Sequence, residues 1–177
     1  MNRHVALTLG VFLSFVFAGG LLAEKGGSLA GTWKLNVEKS KYSTGAVPKS
    51  ATCTIEAQGE GERTSCEEVA ADGGQVSFAY SATYDDKDHP LTTTGADIFS
   101  GADSIAMRRT GSNSYGAALK KSGQVVMTMR AVVSKNGQTL MITANGADAK
   151  GQPTSQMSVW EKQEAGAQQS KNIGSTK

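Results

Sequence analysis

DSIAMRRTGSNSYGAALKKSGQVVMTMRAVVSKNGQTLMITAN, residues 103–145, is the stretch whose reading decides the fold. It divides into four short segments, Asp103–Thr110, Ser114–Lys121, Gln124–Ser134 and Gln138–Ala144. Only Gly111-Ser112-Asn113, Ser122-Gly123 and Lys135-Asn136-Gly137 separate them. Breaks this short leave room for hairpins and for nothing else, so the stretch predicts an antiparallel meander of four strands. A meander needs further strands to close against.

The rest of the chain supplies them. Gly31–Val37 alternates Trp33, Leu35 and Val37 on one face and predicts a half-buried strand. Glu38–Ser50 is polar and is expected to be a connecting loop or a short helical turn. Ala51–Ala57 and Glu62–Val69 flank Gly59-Glu60 as a hairpin. Gln75–Tyr84 sets Val76, Phe78, Tyr80 and Ala82 against a small, polar face. Asp85–Pro90 reads as an acidic turn before a short extended piece, Leu91–Thr94, and a loop, Gly95–Gly101. The last strand is Thr154–Lys162, with Met157, Val159 and Trp160. No segment has a convincing amphipathic helical period. The expected class is all-β: an antiparallel up-and-down β-barrel of about 8–10 strands, an architecture that removes exposed sheet edges.

At 177 residues the chain suits one domain. Residues 1–23 read as a signal peptide, with Arg3 and His4 before the apolar run Val5–Phe17 and cleavage near Ala23. That run falls short of the roughly 20 residues a bilayer span requires, so no stable membrane insertion is expected after signal removal. Residues 24–30 read as a flexible lead, 31–162 as the barrel and 163–177 as a disordered polar tail. Loss of Arg3 leaves 17 basic residues against 16 acidic ones, a balance that offers no footprint for nucleic acid. The expected location is periplasmic or secreted.

Export makes the two cysteines informative. With Gly59-Glu60 as the turn, Cys53 falls directly opposite Cys66 in a close, non-hydrogen-bonded pair, which predicts one cross-strand disulfide.

Gly31-Thr32-Trp33 opening the first strand and Val159-Trp160-Glu161-Lys162 closing the last resemble the calycin superfamily, the lipocalins and fatty-acid-binding proteins. Gly31-Thr32-Trp33-Lys34-Leu35-Asn36 with Lys39-Ser40-Lys41-Tyr42, and Val132–Leu140, are similar to exported bacterial lipocalin-like proteins of unassigned function. The resemblance implies a lipocalin-like barrel with an internal cavity for one small apolar or amphiphilic ligand. Gly31, Trp33 and Trp160 would be structural residues of the barrel end. Arg130 resembles an internal arginine of fatty-acid-binding proteins, while their second arginine is matched here by Ser158. Half of that family's carboxylate clamp is therefore missing.

Enzymatic constellations are wanting. After signal removal His89 is the only histidine, and it stands in a turn context beside Pro90. Asp85, Asp86 and Asp88 lack the glycine and bidentate glutamate of a helix-flanked calcium loop. No catalytic residue, metal or cofactor is assigned, and the chain is read as a binding protein rather than an enzyme. A filled barrel acting as a protein-interaction or inhibitor module is the alternative, and a small cavity hydrolase or isomerase a more distant one.

The candidate ligand-binding residues are Phe78, Tyr80, Met107, Arg109, Tyr115, Leu119, Arg130, Leu140 and Ile142. A two-residue Ser122-Gly123 turn pairs Tyr115 with Arg130 and sets Lys120 on the opposite, watery face. A three-residue Gly111-Ser112-Asn113 loop puts Arg109 opposite Tyr115. Two loop lengths at Lys135–Gly137 conflict over the face of Arg130, and the preference of Lys120 for water places Arg130 inside. Three residues bring Leu140 and Ile142 to the face of Tyr115 and Arg130; two send them to the side of Met127 and Met129. With both arginines inside, an anionic head group would find two guanidinium groups beside a phenol.

Overall fold

The computed structural model describes residues 28–43, 47–147 and 151–164. The signal peptide and most of the polar tail read from the sequence lie outside the described residues. Ten strands follow in order: β1 (Gly31–Tyr42), β2 (Ser50–Gln58), β3 (Gly61–Val69), β4 (Gln75–Thr83) and β5 (Asp85–Thr94). They continue as β6 (Ser104–Arg109), β7 (Ser114–Lys121), β8 (Gln124–Val133), β9 (Thr139–Ala147) and β10 (Pro153–Lys162). Each pairs antiparallel with its neighbours in sequence, and β10 returns to pair with β1. The result is a closed up-and-down barrel, consistent with the lipocalin-like type, with no helix among the described residues.

Turn chemistry sets the registers. Gly59 takes φ 57° at the β2–β3 turn, and Gln58 pairs with Gly61. Ser122 and Gly123 take φ 49° and 79°, the two positive values a tight hairpin turn demands. Gly61 has no substitute: a Cβ there would sit 2.0 Å from the Ala82 carbonyl oxygen, where β4 crosses close to β3.

Two segments expected to be irregular are strand. β1 continues through Lys39-Ser40-Lys41 to Tyr42, because Ser40 repairs the ladder where its register shifts between Asn36 and Lys41. The Ser40 hydroxyl donates to the Asn36 carbonyl (2.7 Å) and accepts from the Val159 amide (3.0 Å). The acidic Asp85–Pro90 stretch is the bent start of β5; Asp86 at φ 60° marks a register shift against β6. Leu29, expected in a flexible lead, is buried, and its carbonyl accepts the Trp33 indole N–H at 2.7 Å.

The barrel has unlike ends. At the closed end Leu29, Trp33, Ile55, Tyr115, Val133 and Trp160 form a continuous cluster around the Cys53–Cys66 bridge. Lys162 lies over the Trp33 ring at 5.2 Å. A second cluster, with Leu91, Phe99, Met107, Leu119 and Met127, lines the other end beneath the β5–β6 connection. Burying these side chains contributes about 1.5–3 kcal/mol each, enough for either cluster to hold its end together.

Candidate functional site

The register of β6, β7 and β8 decides what faces inward. Arg109 pairs with Tyr115, Met107 with Ala117 and Ile105 with Leu119, as a three-residue Gly111–Asn113 loop requires. Along β7 and β8 the pairing slips. Lys121 pairs with Gln124 and Lys120 with Val125, but Leu119 pairs with Met127. Val126 is the extra residue of a β-bulge, and every partner beyond it moves by one. Tyr115 therefore pairs with Ala131, while Arg130 pairs with Gly116 and lies exposed on the outer face. The placement of Arg130 inside the barrel is thus corrected: one inserted residue in β8 reverses its face.

The same bulge reconciles the two counts made from the sequence. Val133 pairs with Leu140, Ala131 with Ile142 and Met129 with Ala144, the parity of an Asn136-Gly137 turn. Lys120 stays outside, where it pairs with Asp88, and Met127 and Met129 come inside with Tyr115 and Leu119.

A cavity of about 920 Å³ runs along the barrel interior, within the range typical of small-molecule sites. Phe78, Tyr80, Met107, Tyr115, Leu119, Leu140 and Ile142 all line it, as do Trp33, Trp160, Cys53 and Cys66. Arg109 does not. It borders a separate pocket of about 420 Å³ at the closed end, its guanidinium 4.8 Å from the Tyr84 ring centre and 5.1 Å from that of Tyr115. The row of Arg109, Tyr115 and Arg130 across one inner face does not form. Gly31 stands at the start of β1 with φ 140°, outside the cavity lining.

Much of the polar lining comes from the disulfide hairpin, whose inward acidic residues were not among the candidates read from the sequence. Cys53 and Cys66 face each other, bonded, with Cα atoms 4.1 Å apart. Both sulfurs point inward, so Glu62, Thr64 and Glu68, which share the parity of Cys66, point inward too. Extending the disulfide's parity along β3 is the signal that finds them. Glu62 is only 2% exposed. Its Oε1 accepts the hydroxyls of Tyr80 (2.8 Å) and Thr64 (3.1 Å), and its Oε2 that of Tyr84 (2.6 Å). Burial, then the neighbouring Glu62 charge, pushes the Tyr80 and Tyr84 phenols well above their ordinary range, so both remain hydrogen-bond donors.

Towards the other end, Glu68 shares the wall with Tyr42. Burial raises the Glu68 carboxyl; burial and then Glu68 push the Tyr42 phenol up to about 12. The β5–β6 connection crosses the mouth. Its Asp97 carboxylate accepts the amides of Phe99 (3.1 Å) and Gly101 (2.8 Å), and the Ser100 hydroxyl donates to the Ala147 carbonyl of β9 (2.7 Å). So held, Phe99 packs edge-on against Phe78, ring centres 4.9 Å apart.

Such a chamber can bury an apolar molecule and offer hydroxyl and carboxylate oxygens to its polar end. His89 lies on β5 near Thr83 and Asp85, away from the cavity lining. Among the described residues no group of three or more His, Cys, Asp or Glu side chains is arranged to hold a metal ion. Neither a protein-family model nor a curated protein matches this chain.

Proposed function

We propose that the chain is an exported, non-enzymatic carrier of calycin type that takes one small, largely apolar molecule into its barrel. The observation that carries this reading is the 920 Å³ cavity, walled by Phe78, Met107, Leu119, Met127, Leu140 and Ile142. A ligand that buries about 200 Å² of apolar surface there gains roughly 5 kcal/mol, with no covalent chemistry. The Cys53–Cys66 bridge supports an oxidising compartment, in keeping with the signal peptide read at residues 1–23. An anionic head group loses its support, because Arg130 lies outside and Arg109 stacks on tyrosines beyond the main cavity.

Titration with the neutral fluorophore N-phenyl-1-naphthylamine tests the reading. Saturable one-to-one enhancement is expected, with competition by a neutral long-chain alcohol. No saturable signal would replace the carrier with a filled-barrel interaction module.

A further inference from the structure

Glu62 is the buried charge that the carrier reading leaves without a role. It stands between the two pockets and lines both. Three hydroxyls donate to it, but none of the ion pairs among the described residues includes it. Hydroxyl donors solvate a carboxylate without cancelling its charge, and a buried charge without a counter-charge is costly. A carboxylate offers about four acceptor sites, so three donors leave one for a ligand.

The rest of the lining has the same sign. Its charged members are Glu62, Glu68 and Asp97 against Lys121, which stands at the mouth beside Gly101. A carboxylate or phosphate pushed to the base of the main cavity would meet Glu62 there, because Arg109 stacks on the Tyr84 ring in the adjoining pocket; that repulsive element acts as selection. An ammonium at that position would meet the free acceptor site of Glu62 and the hydroxyl oxygens of Thr64 and Tyr80.

We infer that the cavity takes a cationic amphiphile, with its protonated amine on Glu62 at the base and its apolar tail along Phe78, Met107 and Leu119. The inference rests on the carrier reading and gives its ligand a chemical class. An alcohol can also donate to the Glu62 carboxylate, but only an ammonium brings the opposite charge, and pairing the two charges gives about a tenfold preference for the amine.

Displacement of N-phenyl-1-naphthylamine by dodecylamine, dodecanol and dodecanoate at neutral pH, each below its aggregation concentration, tests it. In the parent protein dodecylamine is expected to displace at about one-tenth the concentration of dodecanol, with dodecanoate weakest. Glu62→Gln is expected to remove most of the amine preference, read as the ratio of the dodecanol and dodecylamine concentrations that displace the fluorophore, whereas Glu68→Gln keeps that ratio. Dodecanoate or dodecanol matching dodecylamine in the parent overturns the inference and leaves the carrier standing; this ordering needs no variant to fold. Loss of the preference in Glu68→Gln with retention in Glu62→Gln moves the amine to the mouth and overturns the assignment. Failure of the fluorophore itself to bind saturably overturns both readings.

Discussion

Tyr84 shows how much one hydroxyl carries in a closed barrel. Among the described residues it is the one hydroxyl donor to Glu62 Oε2, at 2.6 Å, while Oε1 has two. Tyr84→Phe keeps the ring against Tyr115 and removes only that donor. The stranded oxygen costs about 1–3 kcal/mol, so the urea midpoint should fall with an unchanged slope. At the other end Tyr42 offers a titration. Its phenol is pushed up to about 12 from an ordinary 10.0, by burial first and Glu68 second. The folded state therefore holds this proton more tightly than the unfolded chain does. Its contribution to stability is fully present below pH 10 and is lost as pH rises towards 12. Absorbance of tyrosinate near 295 nm should show one step at about 12 that Tyr42→Phe abolishes.

Among the elements, the β2–β3 hairpin and β8 teach opposite lessons. The hairpin was legible because a two-residue turn and an uninterrupted ladder carry parity from Gly59-Glu60 to Cys53 and Cys66. Removing the bridge by Cys53→Ala with Cys66→Ala should cost about 2–4 kcal/mol in urea unfolding, through the freedom regained by the unfolded chain. β8 has the same kind of turn, at Ser122-Gly123, yet parity fails beyond Val126. A bulge residue in a run such as Val125-Val126-Met127 has no compositional mark, since all three are apolar and any of them packs acceptably. The trace in the sequence was the conflict between Lys120 outside and a two-residue Asn136-Gly137 turn, which sets Leu140 and Ile142 with Met127 and Met129; a single inserted residue satisfies both. Arg130→Ala should accordingly leave fluorophore affinity unchanged and stability within about 0.5 kcal/mol, as for a solvated outer-face charge. Strand number was readable from turn spacing, and closure from the need to remove exposed sheet edges. The acidic lining was not, because Glu62 and Glu68 break the rule that charges face water.

At the scale of the whole molecule, the barrel's asymmetry assigns it a door. The closed end is stopped by Trp33, 0% exposed and held through its indole N–H to Leu29, so a ligand passing there would have to break the core. At the other end, a loop held by Asp97 and by one hydroxyl bond from Ser100 to Ala147 lays Phe99 across the mouth. Few bonds secure this loop, and local opening draws on such weakly held segments. Phe99→Ala removes the ring that packs on Phe78, and should speed both association and release of the fluorophore several-fold. Because both rates rise together, the dissociation constant should move little, apart from the contact Phe99 itself makes with the ligand. Leu29→Ala, at the closed end, should lower stability by about 2–5 kcal/mol and leave the rates alone. Stopped-flow fluorescence on the two variants separates the ends. Faster exchange in Leu29→Ala with none in Phe99→Ala would place the entrance beside Glu62, and an amine would then reach its carboxylate without crossing the apolar chamber.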